Sequence, residues 1–161
     1  MFRIFIIVFL VFSCFFSKAQ NKPKFNSLFD SASKYENRDW SLAFFYAKMA
    51  MENQDAATSY DDIIRLNVIY DNHYEKLNML DSSFTVTKRS LRLATENHDT
   101  TLIAYSLINM ANIYVSAGNY ESAIQMFKKA LNILIKQNDV IQVANTYYNL
   151  TTPYTELHML D

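Results

Sequence analysis

The chain has 161 residues, of which 50% are apolar and 19% charged, with a formal net charge of −1. That balance suits a packed fold rather than a disordered one, and it offers no basic face for nucleic acid. A single Gly and two Pro exclude most all-β architectures, which need turn formers at many tight bends, and leave helices joined by short loops.

The first element in chain order is an address. Met1–Gln20 opens with Arg3, runs apolar from Ile4 to Phe12 and stays greasy to Phe16. Ser17 and Ala19 then place small residues where a signal peptidase cuts, before Gln20. The run is shorter than the roughly 20 apolar residues of a membrane span. We read residues 1–19 as a signal peptide and the remainder as exported, periplasmic or in the cell envelope. Lipidation at Cys14 and an uncleaved anchor are the alternatives; Phe12 is bulky for a lipidation motif. Removing Arg3 and Lys18 leaves 13 basic against 16 acidic residues, a net −3.

Residues 20–161 carry an internal repeat. The stretch from Tyr114 to Ala123 aligns without a gap on Tyr74 to Ser83, forty residues upstream. Tyr154 to Asp161 begins the same stretch again, Arg38 to Ala43 stands where Gly118 to Ala123 stands, and Ala50, Ser90 and Ala130 share a register. The units fall at about 24–59, 60–99, 100–139 and 140–161, the last incomplete.

Each unit reads as two helices. Leu107, Met110, Ala111 and Tyr114 lie at i, i+3, i+4 and i+7. Gly118 then permits the left-handed conformation that ends a helix, and Ala123, Phe127, Ala130 and Leu134 form the inner stripe of the next. Arg38, Asn78 and His158 occupy the place of Gly118, so turns are expected there, less regular in the outer copies. Asn67 and Thr87 replace Leu107 and Phe127, which makes the second unit a weak copy. Trp40 falls at a core register.

Leu107, Ala111, Tyr114, Gly118, Tyr120, Ala123, Phe127 and Ala130 resemble the tetratricopeptide-repeat pattern in spacing and type. The resemblance implies an all-α, right-handed α-solenoid of antiparallel hairpins, here with a forty-residue period and without the usual Pro after the second helix. It implies a groove lined by the first helix of each unit and filled by a protein or peptide ligand. The groove-facing positions of the family fall at Arg65, Val68, Asn72, Glu75 and Lys76, then Tyr105, Ile108, Asn109, Asn112 and Ser116, then Asn145, Tyr148, Asn149 and Thr152. Asn is a mediocre helix former, and its amide both donates and accepts, so repeated Asn on one face suits the backbone of an extended peptide. Tyr105 and Tyr148 would add apolar contact. Solvated Asn in an Asn-rich chain is the plain alternative. Grip on a C-terminal carboxylate is disfavoured, with only Arg65 and Lys76 as cations.

Nothing else carries chemistry. His73, His98 and His158 are far apart, Asp61 and Asp62 suit a helix N-terminus, and no nucleophile triad, phosphate loop or metal spacing occurs. The expectation is a protein without catalysis, cofactor or metal. The Tyr147, Leu150 and Tyr154 face would lack a covering helix, which suggests a piece of a longer protein. The forty-residue period and the signal peptide resemble the sensory part of exported bacterial tetratricopeptide-repeat proteins, and that resemblance implies a longer signalling protein ending in a histidine kinase or helix-turn-helix regulator. A stand-alone secreted or lipidated envelope scaffold and a glycan-binding lipoprotein are the alternatives.

Overall fold

The structure, a computed structural model, describes residues 24–55 and 58–160. The signal-peptide reading, its Ala19–Gln20 cleavage site and Cys14 therefore lie outside the described residues. Those described are all-α: α1 covers 24–35, followed by α2 (Trp40–Glu52), α3 (Tyr60–Lys76), α4 (Leu80–Glu96), α5 (Thr100–Ser116), α6 (Tyr120–Lys136) and α7 (Val140–Leu160). None of these helices is long and apolar enough to cross a membrane. The chain divides into two compact units whose boundary falls between Ile69 and Tyr70, inside α3.

In the first unit, Ala43, Ala47 and Ala50 bury the inner stripe of α2. Aromatic contacts supply its bulk. Phe25 stacks on Phe29 at 6.0 Å, and Tyr35 on Tyr46 at 5.8 Å. Asp39 caps α2 by accepting from the Ser41 and Leu42 amides. Trp40 keeps its register at the start of α2 but is 37% exposed, so it is a rim residue rather than a core one. A helix's first residue has no preceding turn to cover it.

The second unit shows that the forty-residue period is two twenty-residue halves. Helices α3 to α6 each have 17 residues, and the connections are 77–79, 97–99, 117–119 and 137–139. The middle residue of every connection is left-handed: Asn78 (φ 55°), His98 (φ 55°), Gly118 (φ 72°) and Asn138 (φ 57°). The following amide closes the end of the helix each time, Met79 to Tyr74, Asp99 to Ala94, Asn119 to Tyr114 and Asp139 to Leu134, at 2.8–3.1 Å. This is the hydrogen-bond pattern of a left-handed C-terminal cap. The closing residue then caps the next helix. Asp99, Asn119 and Asp139 accept from the amides of Leu102, Ser122 and Gln142. Such short links place neighbouring helices antiparallel. Arg38 departs from the scheme: the Arg38 and Asp39 amides both donate to the Tyr35 carbonyl, and Arg38 is not left-handed.

The core sits between α5 and α6. Ala104, Leu107, Ala111, Ala123, Phe127 and Leu134 are buried in one cluster, with Leu91 and Tyr114 packed against it. Small residues let the helices approach and Phe127, fully buried, fills the space they leave. Tyr114 also meets Phe84 edge-on at 5.9 Å. The weak copy is a polar version of the same packing. Asp71 stands where Ala111 stands, Ser83 where Ala123 stands and Thr87 where Phe127 stands, and all three are buried. The Ser83 hydroxyl donates to the Asp71 carboxylate. Burial holds that carboxyl above its usual range, and the Ser83 hydrogen bond offsets part of the effect.

One expected turn is absent. His158 lies inside α7, which runs unbroken to Leu160. At the other connections a backbone amide closes the helix end after the left-handed residue, joined after His98, Gly118 and Asn138 by a capping side chain. No such pair follows His158 among the described residues, and the helical bonds continue. Pro153 sits inside α7, fully buried, where it withholds one intrahelical bond from the Asn149 carbonyl.

Candidate functional site

At 100° per residue, Tyr105, Asn109 and Asn112 form one stripe of α5, and Asn145, Tyr148 and Asn149 one stripe of α7. The two helices touch, and two links join α5 to the α6–α7 turn. The Tyr105 hydroxyl donates to Asp139 Oδ2 at 3.3 Å, while Asp139 Oδ1 caps α7. The Gln137 amide donates to the Thr100 and Thr101 hydroxyls at 2.8 and 3.0 Å. Burial, together with the Asp139 charge and hydrogen bond, pushes the Tyr105 phenol up. This tyrosine therefore stays neutral and half-buried, with its ring beside the Asn stripe.

Exposure divides the candidates. Asn145 and Tyr148 are exposed, Tyr148 to 77%, and Asn109, Asn112 and Asn149 are half-buried. Ile108, a groove position by the family pattern, is buried at 8% and belongs to the α5–α6 core. It lies toward α6 on the helical wheel. Asn72 and Lys76 are exposed on the part of α3 in the second unit. Arg65 belongs to the first unit, where its guanidinium lies 5.4 Å from the Phe29 ring.

The roles of the other asparagines sharpen the picture. Asn53 and Asn97 donate their amides to helix-end carbonyls, Asn78 and Asn138 are left-handed, and Asn119 is an N-cap. Turn and cap chemistry accounts for these. It does not account for Asn109, Asn112, Asn145 and Asn149, which stand within helices. No group of His, Cys, Asp or Glu that could hold a metal occurs among the described residues.

A second feature was only half legible. A groove of about 700 Å³ runs between α6 and α7, lined by Lys128, Leu131 and Ile135 on one side and by Tyr147, Leu150 and Tyr154 on the other. The α7 side follows from helical spacing; the α6 side follows only from carrying each α4 position forty residues on. The groove lies on the opposite side of α7 from the Asn stripe.

Comparison with known proteins agrees with this architecture. Residues 72–136 match the family model described as tetratricopeptide repeat. No curated protein matches the chain in sequence. Among solved structures it is similar to aspartyl phosphate phosphatase F from Bacillus subtilis, with a TM-score of 0.76 and 18% identity over 86% of this chain and 37% of that one. It is also similar to the apo form of RapI, with a TM-score of 0.78 and 20% identity over 84% of this chain and 50% of that one. The chain thus spans half or less of these neighbours' length, and the likeness is one of fold. With the caps, the small-and-large core and the matched family model in agreement, the segment from the end of α3 to the end of α6 is a tetratricopeptide repeat.

Proposed function

We propose that the chain is a non-catalytic scaffold that holds an extended peptide or protein segment against the α5–α7 face. The observation that carries this reading is the set Asn109, Asn112, Asn145 and Asn149, within helices where turn and cap chemistry gives them no task. Each amide can pair with both the N–H and the C=O of a ligand backbone. Recognition of that kind is tolerant of ligand sequence, and Tyr105 and Tyr148 add apolar contact beside it. The test is selection of binders from a displayed library of extended peptides. Replacing Asn109 and Asn149 together by Ala is expected to weaken the selected peptides by about tenfold or more. Retention of oligosaccharides alone would point to the glycan reading instead.

The finer placement follows from the resemblance and from the sequence of Met1–Gln20. We infer an exported repeat region that senses a protein or peptide ligand for a histidine kinase or a helix-turn-helix regulator. Fractionation of cells expressing the intact gene checks it: the repeats are expected with the envelope, and recovery in the cytosol would contradict export.

A further inference from the structure

Charge is sorted between the helices of the second unit. Helix α5 contains no charged residue, and α7 contains only Glu156 and His158. Helices α4 and α6 carry six cations, Lys88, Arg89, Arg92, Lys128, Lys129 and Lys136, all exposed, against the three carboxylates Asp81, Glu96 and Glu121. Helical spacing gives the direction of this charge. Ala123, Phe127, Ala130 and Leu134 of α6 are buried in one cluster with α5, and Lys129 lies about 160° around the helix from Phe127. Arg89 has the same relation to the buried Thr87 of α4. The basic side of these helices therefore faces away from the Asn stripe.

The stripe itself is bordered by carboxylates. Glu156, half-buried, lies within about 20° of Asn145 and Asn149 on α7. At the opposite end, half-buried Asp139 accepts from the Tyr105 hydroxyl. Glu156 occupies the register of Ser116 and Lys76, one and two repeats earlier. Ser116 is exposed although α7 touches α5, so this register stays open when a further helix is present. Helices α3 and α5 end at Lys76 and Ser116, where the last carbonyls add partial negative charge. Lys76 is the one cation of that row, and the neighbouring Glu75 carboxyl offsets it.

Building on the Asn stripe as the holder of a peptide backbone, we propose that the peptide on the α5–α7 face is cationic, with a Lys or Arg side chain paired to Glu156. Such a ligand is drawn to the edges of the stripe and repelled by the outer faces of α4 and α6, which steers it to the right side of the molecule. An acidic segment would set its charges against Glu156 and Asp139. The net charge of −1 is too small to give this preference by general attraction.

The probes are two labelled extended peptides of equal length, one alternating Lys and Ser, the other alternating Glu and Ser, titrated into the full chain by fluorescence anisotropy. The Lys-Ser peptide is expected to bind tighter by about tenfold or more at low salt, with the margin shrinking toward about 0.5 M salt. Glu156→Gln is expected to weaken it by about threefold, and Lys129→Gln, on the outer face, to leave it unchanged. Equal binding of the two peptides, tighter binding of the Glu-Ser peptide, or indifference to Glu156→Gln overturns the proposal. If binding is equal and both peptides are weakened by replacing Asn109 and Asn149 with Ala, the Asn stripe stands and only the ligand's charge is wrong. Loss with Glu156→Gln but none with the Asn pair supports the cationic ligand and contradicts the holding of its backbone by the stripe.

Discussion

Asp71 and Phe127 set the contrast between the two central units. Phe127 is fully buried among small residues, and its truncation to Ala is expected to cost about 3–5 kcal/mol, since the helices around it cannot close the gap completely. Asp71 acts in the other direction. Burial raises its carboxyl, so the folded protein keeps that proton to a higher pH than the unfolded chain does. The stability this gives is fully present below the usual carboxylate range and is lost as pH rises through the raised value. Glu75 is shifted the same way, by burial and then by the Asp71 charge. Asp71→Asn, which cannot ionise, is expected to gain about 1–2 kcal/mol at pH 7, with the gain shrinking toward pH 4. Urea melts at both values check it, and a loss at pH 7 would show the carboxylate to be needed. Asn67 and Thr87 mark the second unit as weak from sequence alone. That Asp71 would lie inside it was not legible, because a carboxylate at a small-residue register reads as surface until its partner Ser83 is placed in space.

At the scale of elements, the helices were legible because Ala, Leu and Phe recur at helical spacing, and the central turn because of Gly118. The turns at His98 and Asn138 fall at the unit boundaries, but their left-handed conformation was not legible, since a forty-residue alignment never sets them beside Gly118. The left-handed conformation is unfavourable for any residue with a Cβ. His98→Gly is therefore expected to stabilise the protein by about 0.5–1 kcal/mol, and Gly118→Ala to destabilise it by about 1 kcal/mol through the backbone alone. An added Cβ at Gly118 meets nothing within 4 Å. Met79 starts α4 without a side-chain cap, in the place filled by Asp39 and Asn119 in their units. Met79→Asp is expected to add about 1 kcal/mol. Thermal melts of the three variants decide, and equal melting temperatures would mean that these ends are already satisfied in another way.

At the scale of the whole molecule, the helices α4 to α7 each touch their neighbours in sequence, so the stability of this part is largely a sum of local terms. Amides of α5 and α6, which hold the apolar core, are expected to exchange with solvent most slowly. Those around the polar pairing of Asp71 and Ser83 are expected to exchange faster. The Asn stripe was legible from sequence through helical spacing, whereas its tie through Tyr105 to Asp139 was not, because the two residues lie 34 apart and meet only across a turn. The claim that this face binds a peptide backbone is tested most directly by nuclear magnetic resonance of the side-chain amides during titration with a selected extended peptide. The resonances of Asn109, Asn112, Asn145 and Asn149 are predicted to shift together and to saturate at one equivalent. Shifts confined to residues of the α6–α7 groove, with these four amides unmoved, would contradict it.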